Sequence, residues 1–154
     1  RLVGSEMCIR DRYIKKNSIY AVGSASVEEI NKINILNASL LSMKRALSKL
    51  SIKPSLAYID GPFAPKLNMK FKTFIKGDEK VKSIAAASII AKVSRDLFMI
   101  KLSKKYPKYN WHKNFGYGTN EHLKGLKKFG TTKHHRIKFK PIHKILMNKT
   151  RETQ

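Results

Sequence analysis

Two short β-prone runs, each followed by an aspartate at a glycine turn, limit what this chain can fold into. Residues 55–59 (SLAYI) lead into Asp60-Gly61-Pro62, and residues 71–75 (FKTFI) lead into Lys76-Gly77-Asp78. Long helical patterns flank the pair. Upstream, Ser26-Val27-Glu28-Glu29 has the form of a capping box, in which Ser26 and Glu29 satisfy each other's free amides. A helix follows to about Leu50, with Ile30, Ile33, Leu36, Leu40, Met43, Leu47 and Leu50 spaced as one core-facing stripe. Downstream, residues 83–91 (SIAAASIIA) open a helix that extends toward Lys104, its alanines suited to close packing. Residues 18–25 (SIYAVGSA) read as a further strand. The run at 55–59 lacks polar alternation, which predicts burial on both faces. Strand, helix, strand, strand, helix predicts an α/β layered fold. A short helix is expected at 120–129.

Charge narrows the partners. The 154 residues hold 33 Lys+Arg against 10 Asp+Glu, a net +23. Such an excess opposes compaction and favours a polyanion, with nucleic acid ahead of an anionic membrane surface. No apolar run approaches the ~20 residues that span a bilayer, so no membrane association is expected. Cys8 is the sole cysteine, which excludes an intramolecular disulfide framework and a cysteine zinc site and fits a reducing cytoplasm. Residues 1–12 (RLVGSEMCIRDR) are arginine-rich where the remainder is lysine-rich, and read as a leader foreign to the domain at 13–146. Residues 147–154 read as a frayed polar tail.

Asp60 and Asp78 are the candidate chemistry. Ligands of parallel α/β sheets bind beyond the carboxyl ends of strands, where both stand. Two neighbouring carboxylates repel unless a cation neutralises them, and hard oxygens select Mg²⁺ or Mn²⁺. In a basic chain this points to metal-assisted cleavage of a phosphodiester. Turn and helix-start chemistry explains the same two residues without a metal. Further on, Tyr106, Tyr109, Trp111, Phe115 and Tyr117 alternate with basic residues. Tyr117 stands between Gly116 and Gly118; it is either a stacking platform for a sugar or base, or a core aromatic between turn glycines. Arg136, Lys138, Lys140 and Lys144 suit phosphate contacts or a solvated face.

These pieces, in order, resemble the ribonuclease HII family. The resemblance runs through 25–30 (ASVEEI), Ile59-Asp60-Gly61, Lys76-Gly77-Asp78 and 83–96 (SIAAASIIAKVSRD). It continues through Gly116-Tyr117-Gly118-Thr119 with His122, and His135-Arg136 with Phe139 and Pro141. It implies an RNase H-like mixed sheet flanked by helices, with a helical C-terminal part. It also implies endonucleolytic hydrolysis of the RNA strand of RNA–DNA hybrids or of DNA with embedded ribonucleotides, by a cytoplasmic monomer. The family's four carboxylates hold Mn²⁺ or Mg²⁺; Asp60 and Asp78 match two. Tyr117 matches the tyrosine that packs on the sugar, and Gly116, Gly118, Lys76 and Arg136 fall on the nucleic-acid side. The other two carboxylates belong to an Asp-Glu-x-Gly-Arg-Gly motif that the chain does not contain, and Glu6 and Asp11 do not reproduce it. The expectation is therefore the C-terminal two-thirds of such an enzyme, short of its first strands and inactive alone. A non-catalytic basic module that binds RNA or hybrid is the competing expectation.

Overall fold

The computed structural model describes residues 4–140, 142–145 and 147. Pro141 and the tail beyond Met147 lie outside them, as do the first three residues of the leader. The elements in order are α1 (Gly4–Asn17), α2 (Val27–Ser48), β1 (Leu56–Asp60), β2 (Lys70–Phe74), α3 (Gly77–Lys80), α4 (Lys82–Lys105), a 3₁₀ turn (Pro107–Tyr109), α5 (Trp111–Asn114) and α6 (Asn120–Phe129). The chain forms two compact units, residues 1–25 with 36–95, and residues 26–35 with 96–154.

In the first unit β1 and β2 pair in parallel, from Leu56↔Lys70 to Asp60↔Phe74. Only one face of β1 is buried, through Ala57 and Ile59, while Leu56 and Tyr58 are exposed. The expectation of burial on both faces is thus corrected. A run without polar residues also suits a strand whose outer face stays apolar. Residues 18–25 are not a strand. A strand needs a ladder partner, and here side chains take up carbonyls instead: Arg45 Nη1 donates to Ser24 O at 2.8 Å and Lys49 Nζ to Val22 O at 3.3 Å. The segment lies so close to α2 that a Cβ on Gly23 would overlap Ser42 O.

The capping box forms as read: Ser26 N–H donates to Glu29 Oε2 at 2.8 Å, and Glu29 N–H to Ser26 Oγ at 3.1 Å. The single stripe along α2 does not. Asn34 takes φ 65° and ψ 172°, which interrupts the helix and shifts its phase. Ile33 and Leu36, on either side of the break, are exposed, and Ala38 is the buried residue of α2. The expected helix after Asp78 is also divided. Val81 is extended at φ −129°, closing the one-turn α3 before α4 begins. Along α4 the buried apolar positions are Ile84, Ile90, Val93, Met99 and Leu102, at helical spacing, while the alanines between them are half-buried or exposed.

The second unit is built on Met99, Leu102, Tyr109, Trp111, Leu126 and Ile142. Tyr109 stacks on Trp111 with centroids 5.1 Å apart, and its hydroxyl donates to Gly130 O at 3.0 Å. Against this apolar centre lie two buried imidazoles. Thr132 N–H donates to His135 Nδ1 at 2.9 Å, so that nitrogen carries no proton and neutral His135 is protonated at Nε2. His135 Nε2 lies 3.2 Å from His122 Nε2, which also accepts from Trp111 Nε1 at 3.2 Å. His122 is therefore protonated at Nδ1, and donates from there to Tyr117 O at 2.9 Å. Burial, and secondly the neighbouring His122, depress His135 to about 4.

Two predictions follow from this packing. Gly23→Ala forces α2 and the 18–25 segment apart and lowers stability by about 1–3 kcal/mol, read from urea unfolding. An unfolded His135 titrates near 6.5, so the unfolded chain takes up that proton before the native one does. Its contribution is complete above pH 6.5 and is lost as pH falls from 6.5 toward about 4. Urea midpoints measured across that window should fall with acidity, and less steeply in His135→Gln.

Candidate metal and nucleic-acid site

Asp60 is the last residue of β1, and its register partner Phe74 is the last of β2. The ladder closes just beyond, where Gly61 N–H donates to Phe74 O at 2.8 Å. From this strand end the Asp60 carboxylate reaches the following turn. Gly77 N–H donates to Asp60 Oδ1 at 2.8 Å. That bond orients an otherwise exposed carboxylate and leaves Oδ2 free of a protein partner of comparable geometry among the bonds described. Asp78 follows directly, exposed in the first turn of α3. The side chain of Asp60 thus reaches the turn in whose next position Asp78 stands.

Lys76 and Gly77 build that turn. Lys76 adopts the left-handed conformation at φ 55° and ψ 51°, unusual for a residue with a Cβ. Gly77 is buried, and a Cβ there would lie 2.6 Å from Ile84 Cδ1, 3.1 Å from Phe74 Cβ and 3.3 Å from Asp60 Oδ1. A side chain at 77 therefore presses on the hydrophobic contact beneath and on the carboxylate beside it. Local strain at a prospective ligand site is a recurrent pairing.

Among the described residues no other acid joins Asp60 and Asp78 in a metal-holding group. Glu6 takes Arg10 at 3.0 Å and Asp11 takes Lys15 at 2.9 Å, each within α1. Among the described residues no group of three or more His, Cys, Asp or Glu is placed to hold a metal ion. A magnesium-type ion commonly takes one or two carboxylates and completes its octahedron with water and phosphate oxygens, and Asp60 and Asp78 are donors of that chemical class.

The second unit carries Tyr117. Of the five aromatics that alternate with basic residues, Tyr109 and Trp111 are buried and Tyr106 and Phe115 are half-buried. Tyr117 is 60 % exposed, which removes the core-aromatic alternative. Gly116 has φ 85°, a conformation that requires glycine in practice, and it follows Phe115 at φ 49°. Gly118 is different: a Cβ there would meet nothing within 4 Å. No protein contact demands that glycine, and the space beside it is open. Arg136 is half-buried, with its guanidinium 4.7 Å above the Phe139 ring. Lys76 is exposed. The His122–His135 pair was not legible in sequence, because thirteen residues and two different elements separate the partners. The Thr119 cap before His122 was the available signal; its Oγ1 accepts from His122 N–H at 3.3 Å.

Gly77→Ala should lower stability by about 1–3 kcal/mol through overpacking. It should also displace Asp60, so that Mn²⁺-induced paramagnetic broadening of the Asp60 resonances, where present in the parent chain, weakens in the variant.

The description of the matching family model is "Ribonuclease HII", and the match takes in residues 3–142. It thus includes most of the segment at 1–12. The ribonuclease HII of Pelagibacter ubique is 62 % identical over 137 residues, covering 88 % of this chain and 74 % of that protein. That of Wolbachia pipientis wMel is 48 % identical over 141 residues, covering 90 % and 71 %. Among solved structures, the ribonuclease H2 of Pyrococcus horikoshii superposes with a TM-score of 0.71 at 25 % identity, covering 96 % of this chain and 78 % of that one. The family match over nearly the whole chain, with the close relatives, places this protein in the ribonuclease HII family of endoribonucleases.

Proposed function

We propose that this chain belongs to an endonuclease that hydrolyses the RNA strand of RNA–DNA hybrids, and that the 154 residues alone bind such a duplex but cleave it little. The observation that carries the reading is the bond from Gly77 N–H to the Asp60 carboxylate, which brings that carboxylate to the residue before Asp78 in a chain of net charge +23. Asp60 and Asp78 would hold Mg²⁺ or Mn²⁺. Such an ion, when bound, supplies Lewis-acid polarisation of phosphate and lowers the pKa of a bound water. Gly77 fixes the direction of the Asp60 carboxylate. Lys76 stands beside the pair with an ammonium suited to a phosphate. Tyr117 offers an exposed ring to a sugar or base, and the space next to Gly118 admits a backbone. Arg136 and the lysines near it would neutralise phosphates. Hydrolysis adds water across a P–O bond, leaving a 3′-hydroxyl and a 5′-phosphate.

Weak cleavage follows from the ligand count. The Asp-Glu-x-Gly-Arg-Gly motif is absent from the sequence, and no third carboxylate joins Asp60 and Asp78 among the described residues. Two ligands leave the reacting phosphate poorly positioned, and misplacement alone costs orders of magnitude in rate. Among the described residues no helix is long and apolar enough to cross a membrane. The sole cysteine fits action in the cytoplasm, and a monomer suffices for the contacts proposed.

The test is a duplex carrying one ribonucleotide, incubated with the chain in Mg²⁺ or Mn²⁺. We expect binding that weakens steeply with salt, and cleavage near background. Robust metal-dependent cutting that Asp60→Asn abolishes would overturn the weak-cleavage reading. Tyr117→Ala should weaken hybrid binding about tenfold, the scale of one lost stacking contact. Unchanged affinity would remove Tyr117 from the interface.

A further inference from the structure

The main chain of Tyr117 is held from both sides. Its N–H donates to Asn114 O at 2.8 Å. Its carbonyl accepts from Thr119 N–H at 2.8 Å and from His122 Nδ1 at 2.9 Å, so both lone pairs are used. The turn before it is equally fixed. Buried Asn114 donates from Nδ2 to Tyr109 O at 2.7 Å and accepts at Oδ1 from Gly116 N–H at 2.9 Å. Two consecutive positive-φ residues, Phe115 and Gly116, then turn the chain into Tyr117. A ring 60 % exposed thus projects from a backbone with no free hydrogen-bonding group. Asn114 ties the turn to the main chain of core residue Tyr109, and His122 ties the Tyr117 carbonyl itself to the buried imidazole pair.

We propose that His122 is a positioning residue for Tyr117, held in its Nδ1-protonated form by His135 and Trp111, and that it sets the affinity for nucleic acid without touching it. This rests on the reading of Tyr117 as a contact to the hybrid. His122 is 4 % exposed, which keeps it from a duplex. Its Nε2 faces two donors, Trp111 Nε1–H and His135 Nε2–H, and so remains an acceptor. Neutral His122 then has its single proton at Nδ1, aimed at Tyr117 O. The sense is imposed from the far end by Thr132, because a backbone N–H can only donate. Burial and the adjacent His122 hold His135 down at about 4, which keeps it in the neutral state this arrangement requires at pH 7. A bond of this kind replaces loop entropy that a ligand would otherwise remove on binding.

Two substitutions separate positioning from mere packing. His122→Asn keeps an amide donor near the place of Nδ1. His122→Gln puts its amide near Nε2 and leaves Tyr117 O without that donor. With an RNA–DNA hybrid as probe, we expect His122→Gln to weaken binding about three- to tenfold, as for one lost hydrogen bond, and His122→Asn to stay within about twofold. In a Tyr117→Ala background, His122→Gln should add nothing, since it acts through that residue. Independent, multiplying losses from the two changes overturn the proposal, as does equal loss in Asn and Gln. Histidine ¹⁵N spectra of the parent chain decide the tautomers directly. We expect Nδ1–H on His122 and Nε2–H on His135, and an Nε2–H tautomer on His122 overturns the proposal whatever the binding result. Should Tyr117→Ala leave affinity unchanged, the contact reading of Tyr117 fails, and the spectra still judge the role of His122.

Discussion

The bond from Gly77 N–H to Asp60 Oδ1 is the constraint on which the first unit's prospective chemistry depends. It joins the end of β1 to the start of α3, seventeen residues later in the chain. Parallel strands normally need a long crossover. Here only residues 61–69 separate β1 from β2, and the pairing ends where this side-chain bond begins. The residue types follow from that geometry. An acid accepts the amide, a residue without Cβ lets the turn sit on Phe74 and Ile84, and Lys76 absorbs the left-handed corner. The same bond that ties the turn also aims a carboxylate, so structure and candidate chemistry share one side chain.

The second unit solves a different problem. Its core contains imidazole, indole and amide groups, each costly to bury without a partner. They satisfy one another: Trp111 and His135 serve His122, Thr132 serves His135, and Asn114 serves Tyr109 and Gly116. Aromatic contacts add to this, with Trp111 and His135 centroids 5.2 Å apart. The polar atoms are not an interruption of the core. They determine which loops are fixed to it.

Local chemistry was legible in sequence where it is carried by neighbours in the chain. The Ser26–Glu29 box, α6 at Asn120–Phe129, and the two strands at their glycine turns all depend on short spacings. Asp60 and Asp78 could be paired because each closes a recognisable run. Periodicity misled where backbone geometry intervenes: the apolar residues of α2 keep helical spacing through Asn34, but a positive φ there breaks the face they would form. The segment at 18–25 has strand composition without a ladder neighbour, and composition does not reveal who donates to its carbonyls. The aromatic run after Pro107 mixes core and surface residues, which alternation alone could not sort. The histidine pair was out of reach, since its meaning lies in a contact between distant elements.

One consequence of the Tyr117 turn concerns its motion. Surface loops usually open locally at little cost, and their amides exchange with solvent far faster than those of the core. Residues 114–119 lack that independence. To free the Tyr117 carbonyl, the chain must strip His122 of its acceptor, and a buried proton then has nowhere to go unless His135 and Trp111 move as well. Opening the loop is thereby coupled to opening the centre of the unit. A turn whose tyrosine ring lies in water is dynamically part of the interior.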